Sequence, residues 1–177
     1  MKFARWALGL VLVGCLTTLA VAAQKRMPLS MLCQHAERIV IAEVTSSSFR
    51  YADWPGLGNV PTTVFTVTVE ETWKGATAQT LEVQVLGGYD PERELVTRAS
   101  GAAEMRIGQR VLLFVDEKDG IARVYGREQG RYDVKVRRVV GRPGMPIDQD
   151  ILTPPLKKQI LTILAAQAKE SLEGGGR

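Results

Sequence analysis

The sequence predicts a mainly β fold: an antiparallel barrel of five to six strands, with a short N-terminal helix and an amphipathic C-terminal helix. Three observations support this prediction. In residues 61–88, two runs of alternating apolar and polar side chains flank a turn, as in a β-hairpin. Residues 39–44 and 110–115 are apolar almost throughout, which is typical of strands covered on both faces. Residues 153–167 repeat apolar side chains at helical spacing.

The hairpin in residues 61–88 has one predicted dry face and one wet face. The wet face carries Thr, Glu and Gln, which are suited to solvent. The dry face is predicted to contain Phe65, Val67, Val69, Trp73, Leu81, Val83 and Val85. The hairpin is therefore expected to be scaffold rather than a binding site.

Two helices are expected to pack on this scaffold. Within residues 28–38, Leu29, Leu32 and Cys33 recur at spacings of three and four, so that Cys33 turns inward. Thr and Pro at residues 153–155 are typical of a helix start, and the apolar stripe that follows is predicted to pack on the core.

The second half of the chain contains further predicted strands. An acidic turn at residues 116–120 is expected to join the strand at 110–115 to one at 121–125. Residues 131–140 alternate again and are predicted to form the last strand.

The N-terminus indicates export. Residues 1–23 have a basic start, an apolar run and small residues at the end, a pattern typical of a cleaved secretory signal peptide. An alternative is that Cys15 lies in a lipobox-like sequence and is lipidated, which would anchor the protein to a membrane. The expected location is the periplasm or the medium. The remaining chain is predicted to divide into a β domain at 24–145 and a C-terminal helix with a frayed tail at 146–177.

Composition limits how the mature chain is stabilised. The full sequence has 23 basic and 19 acidic residues, and loss of Lys2 and Arg5 with the signal segment leaves a net charge of +2. Cys33 is then the one remaining cysteine, so an intramolecular disulfide is impossible. The roughly 154 remaining residues are enough for one compact domain with a packed core.

A candidate recognition loop lies at residues 49–57, where three aromatic side chains and an arginine come close together. These candidate binding residues are Phe49, Arg50, Tyr51 and Trp54. Aromatic rings with arginine are typical of interface hot spots. The alternative is that the rings fold down to cover an end of the barrel.

A second candidate surface is basic. Residues 123–142 contain seven basic and two acidic side chains, and the candidate binding residues are Arg131, Lys135, Arg137 and Arg138 on the exposed face of the last strand. Such a patch suits an acidic protein or an anionic glycan of the envelope. It also suits a purely solubilising role at a sheet edge. The modest total charge argues against nucleic acid as a partner.

No catalytic, metal or cofactor motif is evident. His35 is the one histidine, and it cannot face Cys33 across a helix at a spacing of two. Glu70 and Glu71 are adjacent on a strand and are predicted to point to opposite faces. The expectation is therefore a protein that is not an enzyme and that requires neither metal nor cofactor.

The order of the segments ERIVIAEV, VFTVTVEETWKG, TLEVQVLGG and IGQRVLLFV resembles exported bacterial proteins of unassigned function. It is also similar to the N-terminal OB-type barrel of tissue inhibitors of metalloproteinases and netrin modules. The likeness covers residues 29–125, with its most specific parts at residues 73–75 and 108–115. It implies the OB-like barrel only. The Cys-x-Cys with which those inhibitors approach zinc has no counterpart, because Cys33 stands alone.

These observations favour an exported, non-enzymatic binding module of the cell envelope. Its predicted contact surfaces are residues 49–57 and 131–138. The alternatives are a hydrolase acting through carboxylates and a lipid-anchored envelope factor.

Overall fold

The structure, a computed structural model, describes residues 26–118, 120–147 and 149–174. The predicted signal segment and Cys15 lie outside these residues. Within the described residues the chain forms two α-helices, a short 3-10 helix and nine strands. Their bounds are α1 Leu29–His35, β1 Arg38–Trp54, β2 Gly58–Lys74, β3 Thr80–Asp90, β4 Leu95–Arg98, β5 Arg110–Lys118, β6 Ile121–Val124, the 3-10 helix Arg127–Gly130, β7 Arg131–Lys135, β8 Arg138–Val140, β9 Ile151–Leu152 and α2 Thr153–Gly174.

Five strands follow one another around a ring in the order β1, β2, β3, β6 and β5, and β5 pairs again with β1. The pairing of β3 with β6 is parallel, and every other pairing among the described strands is antiparallel. The prediction of a mainly β fold with a short N-terminal and a C-terminal helix is confirmed. The sheet is ring-like but not a barrel, since β3 and β6 share only the pairs Val83–Ala122 and Gln84–Arg123.

Two hydrophobic clusters lie on opposite sides of β1 and β5. Val40 and Val44 enter the cluster inside the ring, whereas Ile39 and Ile41 enter a second cluster on the helix side. The prediction that residues 39–44 form a strand covered on both faces is confirmed. Burial on both sides explains why this segment is apolar almost throughout.

Trp73 lies on the opposite side of the sheet from the one predicted. Val69 and Glu71 pair with consecutive residues of β1, which leaves Glu70 as an extra residue in a β-bulge. Because side chains alternate along a strand, one extra residue reverses the faces of everything beyond it. Val69 therefore packs against the cluster inside the ring, and Trp73 is buried in the helix-side cluster.

Helix α1 is held to the end of β2. The ammonium Nζ of Lys74 donates hydrogen bonds to the backbone oxygens of Cys33 (2.7 Å) and Gln34 (3.1 Å), in the last turn of the helix. Gly75 follows with φ of +84°, and a Cβ there would lie 2.4 Å from the backbone oxygen of Glu37. Only glycine fits this close approach.

Helix α2 packs on the same side of the sheet as α1. Leu156 and Ile160 are buried, and Ile163 and Leu164 pack partly against the helix-side cluster, as the apolar stripe predicts. Neither helix in the described part of the chain combines the length and the apolar character that a membrane crossing requires.

Candidate ligand-binding cleft

The aromatic segment is a strand rather than the predicted loop. β1 continues to Trp54, which pairs with Gly58 of β2, so the connection shrinks to residues 55–57. Gly56 and Gly58 have φ of +77° and +70°, a conformation that suits glycine in a tight turn. Continuous pairing with β2 explains why the chain does not loop out at residues 49–54.

The rings of this segment contact the connection between β3 and β4. Phe49 and Tyr51 meet edge to face, with centroids 5.5 Å apart. The Tyr51 hydroxyl donates to Asp90 Oδ2 (3.1 Å) and accepts from Arg93 Nη1 (2.7 Å), and the Arg93 guanidinium carbon lies 5.2 Å from the centroid of the Tyr51 ring. Tyr51 therefore stabilises the turn between β3 and β4 through these contacts.

Trp54 is also engaged within the protein. Its ring is half-buried, and the guanidinium carbon of Arg123 on β6 lies 4.7 Å from the ring centroid. Arg50 is exposed. These contacts favour the alternative in which the aromatic rings pack against the fold.

The segment predicted as one last strand is a hairpin. β7 ends at Lys135, and β8 begins at Arg138, which pairs with it. Val136 and Arg137 form the turn; Val136 has φ of +55° and is 83% exposed. A β-branched residue rarely adopts positive φ, so the sequence carries no sign of this turn. Lys135, Arg137 and Arg138 are exposed around it, and Arg138 Nη2 donates to the backbone oxygen of Asp150 (3.4 Å).

Arg131 is not part of that exposed surface, contrary to the prediction. It lies at the opposite end of β7, pairs with Leu113 of β5 and is only 4% exposed. Buried charges require partners, and Asp133 supplies one. The structure therefore separates Arg131 from Lys135, Arg137 and Arg138.

The surroundings of Arg131 are rich in charge. Its Nη2 donates to Asp133 Oδ1, which also accepts from Gln109 Nε2. The Oδ2 atom of Asp133 is 3.6 Å from Arg142 Nη2. Burial lowers the pKa of the Arg131 guanidinium, Asp133 opposes this effect, and the positive charges of Arg142 and Arg106 lower the pKa further. The Nε of Arg131 is buried and has no hydrogen-bond partner among the described residues.

Arg131 lines an open cavity of about 740 Å³, which we call the arginine cleft. Three residues of the cluster inside the ring, Phe65, Val85 and Met105, contribute to its lining. Its walls come from β3, β4, the segment before β5, and β7. The charged residues that line the cleft are Arg98, Arg106, Arg131, Arg142, Glu104, Glu128 and Asp133, so the net charge of the lining is +1.

The aromatic segment supports one wall of the arginine cleft. Gly88 on β3 lines the cleft with φ of +145°, and a Cβ there would lie 2.3 Å from Thr63 Oγ1 and 3.1 Å from the Phe49 ring. The contact between β3 and the β1–β2 hairpin is therefore too close for any side chain at this position. The Phe49 ring therefore packs against the part of β3 that forms this wall.

Sequence reasoning missed most of the residues of this cleft. Arg98 and Arg106 lie at or beyond the end of β4, where no periodic pattern marks a surface. One signal was present: Arg131 and Asp133 are two residues apart on a strand and so share a face. That spacing predicts an ion pair, but it does not predict burial.

The remaining chemically reactive candidates have structural roles. Cys33 is fully buried, and burial raises the pKa of its thiol to about 11, so it stays protonated at neutral pH. The ring of His35 stacks on Tyr125, with centroids 5.7 Å apart. Among residues 26–118, 120–147 and 149–174, no group of His, Cys, Asp and Glu is arranged to hold a metal ion.

Glu70 and Glu71 each pair with a cation. Glu70 Oε2 lies 2.5 Å from Arg110 Nη2, and Glu71 Oε2 accepts from Lys157 Nζ and Trp73 Nε1, both at 3.0 Å. The two carboxylates therefore connect structural elements, and neither lines the arginine cleft.

No protein-family model matches the chain, and no curated protein matches it significantly.

Proposed function

We propose that the protein is an exported, non-enzymatic binding module of the cell envelope that takes its ligand in the arginine cleft. The observation that carries this proposal is a buried arginine, Arg131, paired with Asp133 at the wall of an open cavity, with the accessible Arg142 beside the same carboxylate. A volume of about 740 Å³ is in the range of small-molecule sites, and several polar and charged side chains converge on this one.

The proposal includes an OB-type architecture for the five-strand ring and its likeness to the netrin-module fold. The strand order and the parallel seam between β3 and β6 support it. OB folds are partly open five-stranded barrels that bind ligands on the face of their second and third strands and on nearby loops. The arginine cleft draws Thr63 and Phe65 from β2 and Val85 from β3, which fits that location.

Export and anchoring are part of the same proposal. Residues 1–23 have the pattern of a signal peptide, which supports a periplasmic or secreted protein. In the lipid-anchored alternative, Cys15 is the mature N-terminus. The intact mass of the processed protein distinguishes an acylated Cys15 start from a start near Ala23.

The alternative enzymatic function, a hydrolase, would use carboxylates of the cleft. Glu104 and Glu128 line it and form no salt bridge with its arginines in the described part of the chain. Turnover of a substrate that is abolished by Glu104→Gln or Glu128→Gln would favour this alternative over a binding module.

The test of the proposed function uses the protein expressed from its full sequence and purified after its own processing. It is incubated with a small-molecule extract of the envelope and examined by native mass spectrometry. We expect the wild-type protein to retain a small molecule that Val96→Trp does not retain. Val96 lines the cleft, and the bulky indole ring of tryptophan would narrow it. The matched control is Leu95→Trp, because Leu95 is its exposed neighbour on β4 and does not line the cleft.

Retention of the molecule in Leu95→Trp but not in Val96→Trp supports the proposed function. Equal retention in both variants, or no retained molecule in the wild-type protein, contradicts it.

A further inference from the structure

We infer that the ligand carries one localised oxyanion group, bound by Arg142 and Arg106 beside Arg131, and a neutral apolar portion that packs against Tyr89 and Val96. This inference rests on the proposed function, since it concerns the chemistry of the ligand in the same cleft.

The first step is the balance of charge at one end of the cleft. Arg131 and Arg142 both lie beside Asp133, Arg106 lines the same cleft, and the charges of Arg142 and Arg106 lower the pKa of Arg131. The carboxylate that contacts this group is Asp133. Arg131 and Arg142 share this carboxylate and Arg106 lines the same cleft, so positive charge is in surplus beside Asp133. Guanidinium groups stay protonated in proteins, so the surplus persists across the physiological pH range.

The second step is the balance of hydrogen bonds. Asp133 Oδ1 is already shared by Arg131 and Gln109. Its other oxygen is 3.6 Å from Arg142, too far for a good hydrogen bond. The Arg142 side chain is 42% exposed, so its planar donors remain accessible to a ligand. Guanidinium donors match carboxylate or phosphate oxygens in paired hydrogen bonds.

The third step limits the number of anionic groups to one. Over the whole cleft the net charge is only +1, because Glu104 and Glu128 also line it. A polyanion would place further negative charges near these glutamates, and like charges repel. Polyanion sites instead present a continuous basic surface. The charge pattern therefore selects a ligand with a single anionic group.

The fourth step concerns the apolar wall formed by β3 and β4. Tyr89 and Val96 face each other across β3 and β4, line the cleft, and are 53% and 57% exposed. Phe65 and Met105, which are buried, also line the cleft. A cavity of about 740 Å³ is much larger than an inorganic anion requires. The apolar wall therefore provides a binding surface for an aromatic or aliphatic body.

The test is isothermal titration of the processed protein with four probes: phenyl phosphate, benzoate, inorganic phosphate and long-chain polyphosphate. We expect an aryl anion, phenyl phosphate or benzoate, to bind more tightly than inorganic phosphate or polyphosphate. The comparison of phenyl phosphate with benzoate distinguishes the two oxyanion chemistries. Arg142→Gln should weaken binding of the aryl anion by about 10- to 100-fold, the effect of losing a hydrogen bond to a charged group.

The matched control is Arg137→Gln, an exposed arginine in the β7–β8 turn, which should leave the affinity unchanged. Because Arg142 and Arg137 are both accessible, neither substitution opens the buried core. The inference is overturned if neither aryl anion binds, if polyphosphate binds most tightly, or if Arg137→Gln weakens binding as much as Arg142→Gln.

The two proposals fail in distinguishable ways. If native mass spectrometry finds a neutral or polyanionic molecule that Val96→Trp excludes, the proposed function stands and this inference is wrong. If no molecule depends on the cleft, both are wrong.

Discussion

The proposed site depends on one buried charge, that of Arg131. A guanidinium that is 4% exposed must recover the free energy of its lost hydration through hydrogen bonds. Asp133 supplies these only in part, since Nε has no partner among the described residues. An unmade hydrogen bond of a buried polar group costs about 1–3 kcal/mol. Because this Nε is itself buried, a ligand in the cleft would contact the exposed guanidinium of Arg142 instead.

Glu71 provides a prediction about pH at the residue scale. The hydrogen bond from Trp73 lowers the pKa of this carboxyl group, and Lys157 lowers it further. A lowered pKa in the folded state means that the ionised carboxylate stabilises the fold above the ordinary value of 4.5, and that this contribution is lost as the pH falls through the folded-state pKa. The Glu71 side chain is 40% exposed, so the contribution at neutral pH should be about 1 kcal/mol or less.

The measurement compares the free energy of unfolding of the wild-type protein and Glu71→Gln between pH 7 and pH 3. The wild-type protein should be more stable at pH 7, and the difference should shrink as the pH falls below about 4.5. Glu82→Gln, on an exposed position of β3, is the matched control. A difference between wild type and Glu71→Gln that stays constant with pH would contradict this account.

At the scale of elements, the β1–β2 hairpin explains why a recognition loop was wrongly predicted at residues 49–57. Each strand has 17 residues, so the hairpin extends well past the segment of β1 that pairs with β5. Two contacts hold its far part in place. Tyr51 forms a hydrogen bond with Asp90 at the end of β3, and the Trp54 ring packs against Arg123. The composition of residues 49–57 is that of an interface, but here the partner surface belongs to the same chain.

This arrangement predicts the effect of Trp54→Ala. Amide hydrogen exchange should accelerate in residues 49–54 and 58–63, because the contact with Arg123 is lost. Exchange in residues 39–43 should be unchanged, because these residues pair with both β2 and β5. Leu57→Ala, a substitution in the exposed turn, is the control and should leave both regions unchanged.

Uniform acceleration across the protein in Trp54→Ala would mean that Trp54 supports the whole core. Unchanged exchange in the far part of the hairpin would mean that its ring contact contributes nothing.

How well an element can be predicted from the sequence depends on how it pairs and which of its faces are buried. The hairpin of β2 and β3 and the strand at residues 39–44 were predictable, because burial on one face or on both leaves a direct pattern of apolar residues. The face of Trp73 was not, because the bulge at Glu70 reverses the alternation without leaving a sequence signal. The β7–β8 turn also leaves no sequence signal, because Val136 occupies a position with positive φ where glycine or asparagine would be expected.

At the scale of the whole molecule, the arginine cleft arises from segments far apart in sequence. Arg98, Arg106, Arg131 and Arg142 come together because β4 extends the ring from β3 while β7 extends it from β5. No local pattern records that convergence, so sequence analysis placed the binding surfaces on residues 49–57 and 131–138. In the folded protein, Arg131 is buried apart from the other basic residues of the second surface, and the aromatic rings of the first pack against the same chain.

The most direct test of the central claim, a ligand site in the arginine cleft, is an NMR titration of the isotopically labelled protein with phenyl phosphate. The account predicts that the largest amide shift changes occur at Arg106, Gln109, residues 131–133 and Arg142. Shift changes concentrated at residues 49–57 or 135–138, with the amides around the cleft unchanged, would contradict it.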